Sequence, residues 1–143
     1  MKTKKLSKRI MAYIPSLIML SIIFGFSSQN GASSGHLSAV LFDYCDYFLH
    51  LPISRDLGIV IIRKAAHMSE FALLTLTLDY ALYQNDHEHI QLKALLLCLL
   101  FACLDEWHQT FVTGRTGLLT DVLIDTSGGL LTQMIYTIKK TLT

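Results

Sequence analysis

The chain has 143 residues, of which 52% are hydrophobic and 16% charged, with a mean hydropathy of +0.44. That is too apolar for an ordinary soluble domain of this size and predicts a single integral membrane domain over residues 1–143. The net charge of +1 conceals a basic run, Lys2, Lys4, Lys5, Lys8 and Arg9, ahead of an apolar stretch. Such a run sets membrane topology and argues against nucleic-acid binding.

The first apolar stretch, residues 10–26, follows that basic run as a secretory signal would. It exceeds the roughly 7–15 apolar residues of a signal core, and further spans follow it, so it reads as an uncleaved transmembrane helix. Pro15 falls inside it, where neighbouring helices are expected to compensate for the lost hydrogen bond. Ser27, Ser28, Gln29 and Asn30 then read as a loop start whose polar groups can line a site at the helix exit.

Next, Leu37, Val40, Leu41, Tyr44, Phe48 and Leu51 recur at helical spacing, with Asp43, Asp46 and His50 on the opposite side and Pro52 closing the segment. The pattern fits an interfacial helix lying on the membrane and equally a loop helix packed on the bundle. Residues 57–83, 92–111 and 117–138 complete four stretches near the roughly 20 residues needed to cross a bilayer, although charge interrupts the last three. The expected fold is all-α, a polytopic membrane four-helix bundle with an additional interfacial helix in the first external loop. Cys45, Cys98 and Cys103 show neither a disulfide framework nor zinc-type spacing and read as small hydrophobes. His87 and His89, in an acidic loop, take no role.

The basic N-terminal run, Lys93 after the second span, and Lys139 and Lys140 after the fourth predict that both termini are cytoplasmic. That topology brings Arg63, Lys64, His67 and Glu70 of the second span to the outer leaflet. Asp105, Glu106, His108 and Gln109 of the third reach the same leaflet, as do Asp121 and Asp125 of the fourth. Arg63, His67 and Glu70 share one helical face, Asp105, His108 and Gln109 a second, and Asp121, Asp125 and Gly128 a third. Ionisable groups at membrane depth are costly, so the three polar stripes are expected to face one another.

Two histidines among carboxylates suit proton transfer, which makes His67, Glu70, Asp105 and His108 the candidate catalytic groups. Arg63, Lys64, Glu106, Gln109, Arg115, Asp121 and Gln29 are the candidate substrate-binding groups. The pairs H-x-x-E and D-x-x-H also supply two nitrogen and two oxygen ligands, acceptable for a divalent metal such as zinc at His67, Glu70, Asp105 and His108. The same groups beside Arg63 and Lys64 equally make a metal-free anion site. Arg115, between Gly114 and Gly117, suits a phosphate or carboxylate, or a place at headgroup level. Trp107 and Phe111 read as interfacial anchors, and Gly128 and Gly129 as a point of close helix approach.

The ordered motifs Ser27-Ser28-Gln29, Arg63-Lys64-x-x-His67-x-x-Glu70, Asp105-Glu106-x-His108-Gln109 leading to Gly114-Arg115, and Asp121 with Gly128 resemble the VanZ-like family over nearly the whole chain. The resemblance implies a small polytopic bacterial membrane protein, from a family named for a member giving low-level resistance to the glycopeptide teicoplanin. Asp125 departs from the asparagine that the resemblance implies at this position.

The expected function is an outward-facing polar pocket that binds or processes a cell-envelope component, with membrane lipid and a lipid-linked or glycan envelope ligand as partners, and a contribution to teicoplanin resistance. The alternative is a structural or interaction subunit of a membrane assembly whose buried ion-pair network only fixes helix packing. Catalysis and oligomeric state stay open at this level. A transporter fits poorly, because four spans without an internal repeat leave little room for alternating access in a monomer.

Overall fold

A computed structural model describes residues 2–85 and 88–142; His87 lies outside the described residues. It contains six helices: α1 (Lys2–Met11), α2 (Ile14–Ser27), α3 (Gly31–Leu49), α4 (Arg55–Gln84), α5 (Ile90–Gln109) and α6 (Leu119–Leu142). The described residues contain no strand, in line with the all-α expectation.

Three boundaries differ from the sequence expectation for local reasons. The first apolar stretch is divided at Ala12 and Tyr13, and Pro15 is the second residue of α2. First-turn amides have no intrahelical acceptor, so the missing N–H of Pro15 needs no compensation by neighbouring helices. Helix α3 begins at Gly31 rather than near residue 37, because the Asn30 side chain accepts a 2.8 Å hydrogen bond from the Ser33 amide and caps it. It ends at Leu49, where His50 turns left-handed at φ 49° ahead of Pro52. Ser54 caps α4, which runs 30 residues, or about 45 Å at 1.5 Å per residue.

Helix α4 is the hub, packing against α2, α3, α5 and α6. Its pairs with α6 run in the same order along both helices, from Lys64 with Asp121 to Asp79 with Gln133, so the two are parallel. Helix α5 is antiparallel to α6, since Glu106 meets Leu118 while Cys98 lies beside Gly129. Ser27 at the end of α2 meets Asp105 near the end of α5, and Asn85 after α4 donates to the Arg9 carbonyl at 3.1 Å. Chain direction therefore alternates through α2, α4, α5 and α6. The α2–α3 and α5–α6 connections share one end, where the Gly31 amide donates to the Thr113 carbonyl at 3.1 Å.

Helices α4 and α6 approach each other closely. A Cβ on Gly128 would collide with the Met68 carbonyl oxygen, so the expected small-residue contact is present. Beside it Thr132 Oγ1 donates to the Ala72 carbonyl at 3.2 Å.

Apolar and polar side chains are both buried. Ile23, Phe71, Leu74, Leu78 and Cys98 form a small apolar core, but Ser27, Thr75, Asp105, Glu106, Gln109 and Asp125 are buried as well. Large apolar side chains meanwhile point outward on every long helix, including Phe48, Leu119 and Ile135 at 74%, 76% and 67% exposure. Cys98 is buried, while Cys45 and Cys103 are exposed, and all three are free thiols. Among the described residues, one segment, Ser7–Ser27, is by length and composition long and apolar enough to cross a membrane. Polar and charged residues within α4, α5 and α6 hold those helices below that standard.

Candidate functional site

The three polar stripes meet at the end that carries the α5–α6 connection. Arg63, Lys64 and His67 of α4, Glu106 and Gln109 of α5, Arg115 of the connecting loop, and Asp121 and Asp125 of α6 surround a recess of about 280 Å³. A second recess of about 180 Å³ shares Arg63, His67 and Arg115 and adds Gln29 and Glu70. The first is at the low end for small-molecule sites, roughly 300–1,000 Å³, and suits a headgroup-sized moiety.

A buried hydrogen-bond chain fixes one wall. Asp105 and Gln109 stand one turn apart on α5, and Gln109 Nε2 donates to Asp105 Oδ2 at 2.8 Å. The Ser27 hydroxyl donates to the same Oδ2, also at 2.8 Å. Arg115 continues the chain, donating to Gln109 Oε1 at 3.2 Å and to the Phe26 and Gln29 carbonyls at 3.0 Å each. Its planar guanidinium thus closes the C-terminal end of α2, where unpaired carbonyls favour a cation. Gln29 contributes its backbone carbonyl here and also lines the smaller recess.

The opposite wall is ionic. Lys64 Nζ pairs with Asp121 Oδ1, and Glu106 Oε2 accepts the Leu118 amide at 2.8 Å, filling one of the vacant donors at the start of α6. Arg63 is half-buried and lines both recesses, yet it has no hydrogen bond or ion pair among the described residues.

The floor is short of partners. His67 Nδ1 and Glu70 Oε2 lie 3.9 Å apart, too far for a hydrogen bond, and both are buried without one. Asp105 Oδ1 and Asp125 Oδ2 are likewise buried and unpartnered. His67, Asp105 and Asp125 each offer a ligand atom within 4.8 Å of the others, the only metal-sized grouping of this kind among the described residues.

The expected metal quartet is therefore not assembled as a unit. His67 and Asp105 come together with Asp125, Glu70 stands beside His67, and His108 lies apart. The His108 ring meets Phe24 of α2 edge-on at a centroid distance of 5.7 Å and borders neither recess. On a helix, residue 108 is rotated about 60° from Asp105, enough to turn it towards α2 instead of α4.

Sequence reasoning left two other contacts unassigned. Ser27 is fully buried on Asp105, although it read as a loop start. Asp79 accepts both Gln133 Nε2 hydrogen bonds, at 2.9 and 3.1 Å, and joins α4 to α6 far from the recesses. A charge isolated between Leu78 and Tyr80 was the available signal. At the surface, Arg55 makes a two-pronged pair with Asp43, both bonds at 2.8 Å, and this hydrogen bonding holds the Asp43 carboxyl below its ordinary range. Trp107 and Phe111 stack edge-on at 5.3 Å, both exposed.

No curated protein and no solved structure matches the chain. The family model described as VanZ/LLP1 matches residues 12–140, a stretch that includes all the residues around both recesses. With that match covering nearly its whole length, the chain belongs to the VanZ/LLP1 family.

Proposed function

We propose that the chain is a multi-pass bacterial membrane protein in which α2, α4, α5 and α6 form a four-helix membrane bundle. In this reading α3 lies at the outer interface, both termini are cytoplasmic, and the recess opens outward to bind or process a cell-envelope component with an anionic headgroup. The outward apolar side chains support the membrane assignment: so many exposed leucine, isoleucine and phenylalanine side chains need an apolar surrounding, while carboxylates are buried inside. Trp107 and Phe111 then sit at headgroup level.

The observation that carries the binding assignment is Arg63. A half-buried guanidinium without an acceptor among the described residues, bordering two recesses beside Arg115, suits the oxygens of a phosphate or carboxylate. Lys64 adds charge through its pair with Asp121, and Arg115 chiefly positions the wall. His67 with Glu70 is the pair for any proton transfer, since His108 faces α2. Engagement of an envelope component is also the route by which the chain would contribute to teicoplanin resistance.

The rival role, a packing network in a larger assembly, draws on the Ser27–Asp105–Gln109–Arg115 chain. Titrating nanodisc-held protein with a polyprenyl phosphate, phosphatidylglycerol and phosphatidylcholine separates the two. Binding predicts saturable preference for the anionic ligands, lowered about tenfold or more by Arg63→Gln, the cost of a charge-assisted contact. Equal response to all three lipids, or Arg63→Gln protein that fails to accumulate in the membrane, sinks the binding reading in favour of packing. Turnover of a bound lipid that His67→Ala abolishes would make the site catalytic.

A further inference from the structure

We propose that His67, Asp105 and Asp125 form a divalent transition-metal site of the zinc type at the floor of the recess. This goes beyond headgroup binding and is measured separately from it. The three ligand atoms lie within 4.8 Å of one another, whereas tetrahedral zinc with bonds near 2.0–2.1 Å spaces its ligands about 3.3 Å apart. A modest inward rotation of the side chains closes the set.

Two independent features point to an ion. Asp105 Oδ1 and Asp125 Oδ2 are unpartnered on residues only 0% and 2% exposed, an arrangement that leaves buried acceptors unsatisfied unless a cation or donor meets them. The other oxygen of Asp105 is held by both Ser27 and Gln109, which aims Oδ1 away from them, as outer hydrogen bonds orient a metal ligand.

Charge balance agrees. Counted by formal charge with every carboxylate ionised, Arg63, Lys64 and Arg115 stand against Glu70, Asp105, Glu106, Asp121 and Asp125 in and beside the two recesses, an excess of two negative charges that one divalent cation would remove. An imidazole among the ligands favours zinc over magnesium or calcium, which prefer all-oxygen sites. Relative to the sequence expectation, Asp125 takes the place of His108. Asp125 supplies the second ligand charge beside that of Asp105, His67 being a neutral ligand.

The test uses full-length protein purified in mild detergent, stripped with a chelator and re-equilibrated with buffered zinc. Elemental analysis should give about one zinc per chain; Asp125→Asn or His67→Gln should weaken zinc affinity by at least about tenfold and leave the protein metal-poor, and His108→Gln should change neither. Cobalt substitution should give visible absorption bands that Asp125→Asn removes. The idea is overturned by wild-type protein of intact helicity holding below roughly a tenth of an equivalent, or by Asp125→Asn protein that keeps its zinc. Lipid titration of the same samples separates the two proposals: zinc retained without anionic-lipid preference overturns only the headgroup reading, and the reverse overturns only the metal site.

Discussion

Gly128→Ala tests how tightly α4 and α6 are held together. Replacing an interior helical glycine by alanine ordinarily gains up to about 1 kcal/mol, from reduced backbone entropy loss. Here the added methyl would strike the Met68 carbonyl oxygen, a backbone atom that cannot rotate away. A carbon–oxygen contact settles near 3.3–3.6 Å, so the helices must part locally by roughly 1 Å. Overpacking of this kind costs about 1–3 kcal/mol, and stretching the 3.2 Å Thr132–Ala72 hydrogen bond forfeits up to about 1 more. The clash outweighs the propensity gain, and a net loss of about 1–3 kcal/mol is expected. Gly25 is the control: a Cβ there meets nothing within 4 Å, so Gly25→Ala should be neutral or stabilising by up to about 1 kcal/mol. Denaturant unfolding in micelles, followed by far-ultraviolet dichroism, reads both. Equal behaviour of the two variants would refute the close α4–α6 contact.

Ser27→Ala removes one hydrogen bond to a buried carboxylate and should cost about 1.5–3 kcal/mol in the same assay, whereas Ser28→Ala, exposed and bonded only within α2, should cost less than about 1. Arg115→Lys cannot reproduce the three-acceptor fork on Phe26, Gln29 and Gln109, and is expected to lower the thermal midpoint almost as much as Arg115→Ala; full retention by lysine would mean that charge alone matters. The Asp43–Arg55 tether has a depressed carboxyl pKa, so its stabilisation is present above the ordinary value of 3.8 and lost as pH falls through the folded value. Protection of the amides around residue 43, measured relative to intrinsic exchange, should therefore be independent of this pair between pH 5 and 8 and fall only in acid, and sooner at high salt; a loss of protection near neutrality would contradict that assignment.

Much of the fold was legible because apolar run length and capping residues act locally. The four apolar stretches and the amphipathic segment before Pro52 all appear as helices. Start points were less visible: Asn30 reads as a loop residue until its side chain is seen capping Ser33. The convergence of stripes followed from alternating chain direction, which places Lys64 on Asp121 and Glu106 on Leu118. Rotation about each helix axis was the hidden variable. It turns His108 to Phe24 and Asp125 to His67, and spacing arithmetic on a single helix cannot tell which neighbour a flanking residue meets. Ser27 escaped for a related reason, since its partner lies 78 residues away.

The account depends most on the recess opening to the outside of the cell, and cysteine accessibility measures that directly. In a background with Cys45, Cys98 and Cys103 replaced by serine or alanine, Thr116→Cys at the recess mouth and Glu88→Cys near the opposite end are exposed in turn to a membrane-impermeant maleimide on intact cells. Thr116→Cys should label at once, and Glu88→Cys only after the membrane is opened. Labelling of both positions from the same side, or of Glu88→Cys alone in intact cells, would contradict the proposed topology and the outward-facing site with it.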